Sequence, residues 1–483
     1  MATKAKITAP AVSNVARIED GHSARRRDRA PRVSTALTGP VRTLRLTEAG
    51  IAERFADAHG DDIRRDHRRR RWLFWSGARW MPDRDGEIDR RGLAFTRAWQ
   101  RETIEHVEDL DRRAQILDVA LKLERKDALR SMLGFAASLP PIADAGDQWD
   151  RDPWLMGVAN GVVDLRTGVL RPGRRDDRVT MTSPVPYRPE AACGRWERFV
   201  SEVFGGDVEL AAFIQRAVGY SITGDTTEQC LFLLHGSGAN GKSTFLSTLH
   251  QVLGDYSAVT PFSTFELKGR ASIPNDVAQL VGRRFVMASE VQPGAQLNEA
   301  RVKALTGGDP MTARFLHGEF FTFEPVAKFW LGLNHVPNVS DESFGFWRRV
   351  RLVPFLQRFE IDKQLASELR SEASGILHWA VTGCLAWQQR GLSAPAAIAD
   401  ATRELRSEMD DLAEFFEDAT EVVGAAQVAA RSLFVHYEQW TKAHGVEAMT
   451  ETMFGRRCSQ RFSKRKVGAH TMYQGLRLRG AES

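Results

Sequence analysis

A chain of 483 residues with 42% hydrophobic and 27% charged side chains has an ordinary globular composition, but it is too long for one core and suggests about two to four domains. Its net charge of +5 suits an anionic partner, and no apolar run reaches the length of a membrane span or forms the centre of a secretory signal. The four cysteines, Cys193, Cys230, Cys384 and Cys458, stand far apart without a C-x-x-C pair, so neither a disulfide framework nor a zinc knuckle is indicated, and a reducing compartment fits.

Residues 1–40 carry the cluster Arg25-Arg26-Arg27-Asp28-Arg29 but no period that would bury a face, so they read as a disordered basic tail. Such a tail either brushes nucleic acid or is solvated without a role. Glu19, Asp20 and Asp28 count against an organelle transit peptide.

Leu46 to Phe55 reads as a short amphipathic helix capped by Thr47. After the charged turn from Arg64 to Arg71, the stretch from Trp72 to Trp80 reads as a β-hairpin with a Ser76-Gly77 turn. Aromatics among arginines can stack single-stranded bases, but tryptophans that pack on one another are the reading taken here. Residues 93–139 are helical by period, and Asp109 and Asp111, two apart on a helix, are read as surface charges and not as a metal pair. Beyond Pro140-Pro141, Asp152 to Leu170 reads as short strands with turns at Asn160-Gly161 and Thr167-Gly168, and helices follow over Trp196–Phe204 and Val208–Tyr220.

The apolar run Leu231-Phe232-Leu233-Leu234 reads as a buried parallel strand. It enters Gly236-Ser237-Gly238-Ala239-Asn240-Gly241-Lys242-Ser243-Thr244, a G-x-x-x-x-G-K-S P-loop, and a helix with Phe245, Leu246, Leu249, Val252 and Leu253 on one side follows as far as Gly254. Gly236, Gly238 and Gly241 let the backbone turn so that several N–H groups and the helix N-terminus point at one phosphate position. Lys242 reaches the β- and γ-phosphates, and the Ser243 hydroxyl can ligate Mg²⁺. Nucleotide binding follows from this; the use of the nucleotide does not.

Three stretches together extend the reading: Asn160-Gly161-Val162-Val163-Asp164-Leu165-Arg166-Thr167-Gly168, the run from Val218 through Gly224-Asp225-Thr226-Thr227-Glu228-Gln229, and the Asn240-bearing P-loop. They resemble the phage and plasmid primase-helicase family, whose motor is a superfamily 3 helicase of the AAA+ class and whose upstream region is similar to that of poxvirus primase-helicases. The resemblance runs from about Leu46 to the C-terminus and leaves out the basic tail. It implies an α/β AAA+ P-loop motor over 206–390, an α+β N-terminal region over 41–205, and a helical linker with a C-terminal winged-helix domain over 391–483.

Within the motor, Phe285-Val286-Met287-Ala288-Ser289-Glu290 is an apolar strand ending in a carboxylate, expected beside the P-loop, and Glu290 is assigned to Mg²⁺ or to the attacking water. The family often carries two adjacent acids here, and this chain has Ser289 in place of the first. The segment Asn298 to Arg314 resembles the one that leads to a channel-lining hairpin, which makes Lys303, Arg314 and, at the tip, His317 candidates for DNA contact. Phe329-Trp330-Leu331-Gly332-Leu333-Asn334 resembles the sensor strand, with Asn334 near the γ-phosphate. By the same resemblance Arg349, with Arg348 second, reaches the nucleotide of a neighbouring subunit, which implies a ring, as a hexamer.

Farther on, helices are expected to about Val423. Ala425 to His444 is read as one helix with Val428, Leu433, Tyr437 and Trp440 on its core stripe. A second helix, Thr450 to Phe462, carries Arg456, Arg457 and Arg461, and a basic hairpin begins with Lys464, Arg465 and Lys466 and returns through Leu476 to Arg479. Helix, helix and basic hairpin suggest a winged-helix DNA binder; a solvated basic surface is the alternative.

The implied activity is that of an ATP-dependent, Mg²⁺-requiring DNA helicase of phage or mobile-element replication, moving 3′ to 5′ on single-stranded DNA at forks in the cytoplasm of a bacterial host. No membrane is involved, and a separate primase or other replication proteins are possible partners. The residues before Leu46 are too few for a primase half, so priming is not expected. The alternatives are an ATP-dependent origin-binding initiator with little processive unwinding, and an ATPase unrelated to DNA.

Overall fold

The computed structural model describes residues 45–267, 275–289, 294–314, 319–339, 343–408, 412–468 and 470–479. The basic tail expected over 1–40, Glu290 and His317 lie outside the described residues. The chain divides into two units, one comprising residues up to Arg64 and Asp89–Ala143, the other Arg65–Ile88 and Asp144–Ser483.

The first unit is helical. Thr47 caps the helix Glu48–His59, its hydroxyl accepting from Gly50 N at 3.2 Å, and Ile51, Phe55, Phe95, Trp99, Ile116 and Leu133 are buried. Asp109 is the N-cap of the helix Leu110–Leu123 and accepts from Arg112 N at 2.9 Å, so its carboxylate has a structural use.

His59 closes this core with its ring 4.7 Å from Phe55 and 6.0 Å from Phe95, and its Nε2 is buried without a partner among the described residues. Burial, reinforced by the Arg91 charge and opposed by Asp62, pushes its pKa down from 6.5 to about 4. The unfolded chain therefore binds more protons than the folded one between those values, and stability held above pH 6.5 is lost as the pH falls towards 4. Amide-exchange protection of the helix Glu48–His59 is expected to fall across that window by up to about 3 kcal/mol, and His59→Phe is expected to flatten the fall.

In the second unit the strands Arg71–Trp75 and Trp80–Pro82 form the expected hairpin. Trp80 is buried, with its ring 5.7 Å from Trp75 and 5.4 Å from Trp149 and its Nε1 donating to Arg175 O at 2.9 Å, so these tryptophans pack on one another. The strands Leu155–Val158, Gly161–Asp164 and Val169–Arg171 make an antiparallel sheet with turns at the two Gly signals.

The architecture is mixed α/β, built on a five-stranded all-parallel sheet. Its order is Val350–Pro354, Leu231–His235, Lys328–Leu333, Phe285–Ser289, Ser257–Val259. Side chains alternate between two buried faces, as a parallel sheet covered on both sides requires. Leu231, Leu233, Val286, Phe329 and Leu331 lie in one apolar cluster, Phe232, Leu234, Phe285 and Trp330 in the other. On the second face Trp330 stacks on Phe232 with ring centroids 4.2 Å apart, and Phe245 of the P-loop helix lies 5.9 Å from Trp330.

Two buried cations enter this sheet at strand starts. Arg284 donates to the carbonyls of Ile222 (3.0 Å), Asp152 (3.2 Å) and Leu155 (2.9 Å). Lys328 donates to those of Asp225 (3.0 Å) and Val326 (2.9 Å) and its ammonium lies 4.9 Å from the Tyr220 ring. Burial holds both below their ordinary pKa. They satisfy carbonyls at and beyond the end of the helix Val208–Ser221.

The C-terminal part differs from the expected helices. Thr420–Ala429 is a strand, paired antiparallel with His470–Leu478, and the helix begins only at Ala430. Val428 thus reaches the core from a strand; the Ala-rich text reads locally as helix, but pairing across the module overrides that preference. The helices Ala430–His444 and Glu451–Arg461 and the hairpin Lys464–Val467/His470–Leu478 complete the module around Phe415, Leu433, Tyr437, Phe454 and Tyr473.

Candidate functional site

The P-loop leaves the strand Leu231–His235 at its C-terminal end and enters the helix Lys242–Leu253 through Gly241. A Cβ on Gly236 would stand 2.2 Å from the Phe355 carbonyl oxygen and 2.3 Å from Asn240 Nδ2, so no other residue fits this position without movement. Gly238 has φ +97° with open space around it, and Ala239 follows at φ +51°. Ser237 is exposed, and Ser243 and Thr244 lie in the first helical turn, with the Ser243 side chain exposed where it can ligate a divalent cation.

Lys242 is buried, and its Nζ donates to Gly236 O at 2.6 Å and to Asn240 Oδ1 at 3.1 Å. Burial lowers its pKa. Asn240, also buried, donates from Nδ2 to Phe355 O at 3.2 Å, and Phe359 N donates to Ala239 O at 2.8 Å. The loop is therefore braced by the segment after the strand Val350–Pro354, a support that the sequence reading did not identify.

The expected acid strand is not the immediate neighbour of the P-loop strand. Lys328–Leu333 lies between them, pairing Leu333 with His235 on one side and Gly332 with Ser289 on the other. The longer of the two apolar runs fills the centre, where both faces are covered. Asn334, exposed, follows Leu333 at the same edge as the P-loop.

Arg348 and Arg349 stand at the opposite, amino end of the strands. Leu231 N donates to Arg349 O at 2.8 Å, which sets Arg349 at the entry of the P-loop strand and not at its exit. The intervening strand Val350–Pro354 spans about 17 Å at the usual rise per residue, longer than an arginine side chain extends. Arg348 Nη2 donates to Gln229 Oε1 at 2.5 Å, and Arg349 Nη2 to the same oxygen at 3.3 Å. Arg349 also donates to Gly345 O, its Nε is buried without a partner among the described residues, and burial with the Arg348 charge, opposed by Asp309, lowers its pKa.

Lys303 lies on the helix Glu299–Gly307 and donates to Ser343 Oγ at 3.2 Å. The expected hairpin is present as Met311–Ala313 paired with Phe321–Phe323. Arg314 follows its first strand with its guanidinium 4.8 Å from the Phe320 ring.

In the C-terminal module Arg456 is exposed and Arg457 half-buried, while Arg461 lies 5.1 Å over the Phe416 ring and so packs on the module's own core. Lys464, Arg465 and Lys466 are exposed along the hairpin strand. No group of metal-ligand type is assembled among the described residues, and no helix among them is long and apolar enough to cross a membrane.

Residues 52–205 match the family described as D5 N terminal like, 407–474 the family described as Poxvirus D5 protein-like, and 234–349 a family of unknown function (DUF5906). “Putative helicase L207/L206” of Acanthamoeba polyphaga mimivirus is 26% identical over 323 residues, covering 61% of this chain and 34% of that protein. “Putative helicase 022R” of Frog virus 3 (isolate Goorha) is 23% identical over 429 residues, covering 68% of this chain and 44% of that protein. The chain thus spans less than half the length of these curated relatives. Among solved structures, the apo C-terminal region of NrS-1 is 11% identical, covering 61% of this chain and 78% of that one, with a TM-score of 0.37. The resemblance to D5-type primase-helicases read from the sequence is borne out in the residues before and after those of the P-loop sheet.

Proposed function

We propose that this chain is an ATP-dependent DNA helicase that works as a ring, a hexamer, in the replication of a viral or mobile DNA. One observation carries the reading: the P-loop and Asn334 stand at the carboxyl ends of the parallel strands, and Arg348 and Arg349 at the amino end. An arginine a strand's length from its own P-loop serves a different nucleotide, that of a neighbouring copy. A strand order in which the P-loop strand is flanked by the strands leading to Asn334 and from Arg349 supports an AAA+ motor.

The residues fit a nucleoside triphosphate. Open space at Gly238, a lysine held among the described residues by neutral oxygens, and an exposed hydroxyl in the first helical turn make an anion and cation site together. Lys242 would neutralise the β- and γ-phosphates; Ser243, with Glu290, would hold Mg²⁺, which when bound supplies further charge neutralisation on the phosphates. Asn334 would orient the attacking water.

Lys303 and Arg314 beside the 311–323 hairpin would track the backbone of a single strand. The exposed Lys464, Arg465 and Lys466, with Arg456, support duplex contact by a winged-helix module, in which Arg461 is spent on packing. That same basic hairpin favours the second reading, an origin-binding initiator. Unwinding of a forked DNA with ATP, measured beside the protein's mass with nucleotide, separates the two. Strand separation by an oligomer supports the helicase. Sequence-specific duplex binding with hydrolysis but no unwinding would establish the initiator, and unwinding by a monomer would remove the ring.

A further inference from the structure

The turn before the P-loop strand holds Gln229, which touches both arginines. We propose that Gln229 is the positioning residue for the arginine pair, fixing Arg348 and Arg349 through one neutral oxygen so that both keep their charge for the neighbouring subunit's phosphates. The inference rests on the reading of those arginines as acting in trans.

The geometry is specific. Gln229 Oε1 accepts from Arg348 at 2.5 Å and from Arg349 at 3.3 Å, although the partners lie far away in sequence. The turn that aims it is itself constrained: Gln229 has φ +47°, its N donates to Thr226 O at 3.1 Å, and Asp225 Oδ1 accepts from Thr227 N at 2.8 Å. A left-handed backbone at a residue other than glycine is sparsely populated and persists where surrounding contacts impose it. The preceding Glu228 is engaged elsewhere, accepting from Trp387 Nε1 at 2.8 Å and Leu392 N at 3.3 Å. The carboxylate is thus kept off the arginines and the neutral amide is presented to them.

That choice of acceptor matters chemically. Among the described residues neither guanidinium hydrogen-bonds a carboxylate: the other acceptor of Arg349 is the Gly345 carbonyl, and the nearby Asp309 acts on Arg349 through its charge alone. An amide oxygen orients a guanidinium without cancelling its charge, whereas a carboxylate would form an ion pair that a phosphate must then displace. Two cations gathered on one oxygen also repel each other, and an arriving anion relieves that repulsion.

The test uses the full chain with Gln229→Glu and Gln229→Leu. Gln229→Glu keeps the shape and adds an ion pair, so its thermal midpoint is expected to hold or rise while kcat for DNA-stimulated ATP hydrolysis falls about tenfold to a hundredfold with KM nearly unchanged. Gln229→Leu is expected to lose kcat similarly. Mixing either variant with Lys242→Ala subunits is expected to recover part of the hydrolysis, because the defect lies in what a subunit gives its neighbour. A purely structural glutamine would tolerate Glu, and its loss would not be complemented. Wild-type kcat in Gln229→Glu, with Arg349→Ala impaired, would overturn the role of Gln229 and leave the arginines standing. Full hydrolysis in Arg349→Ala would remove the trans reading and this inference with it.

Discussion

Lys242→Ala is expected to lower ATP hydrolysis by at least about a hundredfold, the scale seen when one group opposite developing charge is removed from a preorganised site. The fold is expected to survive. Among the described residues Lys242 Nζ bonds only to Gly236 O and Asn240 Oδ1, both within the loop, while Asn240 keeps its own bond to Phe355 O. Phe245, Leu246 and Leu249, which anchor the following helix in the core, are untouched, and alanine is a good helix former at that position. Hydrolysis measured beside circular dichroism and nucleotide binding separates the outcomes. Full hydrolysis in the variant would remove the P-loop assignment; a collapsed spectrum would mean that Lys242 has a structural role larger than its two bonds suggest.

Much of this site is legible in the sequence because its parts are local. Leu231 to Leu234 followed by glycine, and Phe329 to Leu333 followed by Asn334, announce strand ends without knowledge of any neighbour. Thr47 and Thr450 announce helix starts in the same way, since a capping hydroxyl acts three residues ahead. What was not legible depends on partners far along the chain. The position of Lys328–Leu333 between the P-loop strand and Phe285–Ser289 is a matter of pairing, which no local period encodes. Thr420–Ala429 becomes a strand because His470–Leu478 lies beside it. Arg284 and Lys328 look like surface charges in the text, yet both are buried against carbonyls, and Gln229 gains meaning only from arginines 119 and 120 residues away.

For Arg349→Ala the expected result is nucleotide binding close to wild type with hydrolysis reduced about a thousandfold, the lower end of what an arginine supplied in trans contributes. Binding survives because the P-loop of the same subunit lies at the opposite end of the strands, a strand length away from Arg349. Stability changes little, since the lost partners are the Gly345 carbonyl and the Gln229 amide oxygen, on a half-buried side chain. The decisive measurement is a mixture. A Lys242→Ala subunit cannot hydrolyse but still offers an intact Arg349; an Arg349→Ala subunit offers an intact P-loop. In a ring joined head to tail, an even mixture gives a complete site at about one interface in four, the product of two even chances, so two inactive preparations are expected to regain activity together. If Arg349 served its own subunit, no mixture would restore it, because each chain would carry its defect into every ring it joined.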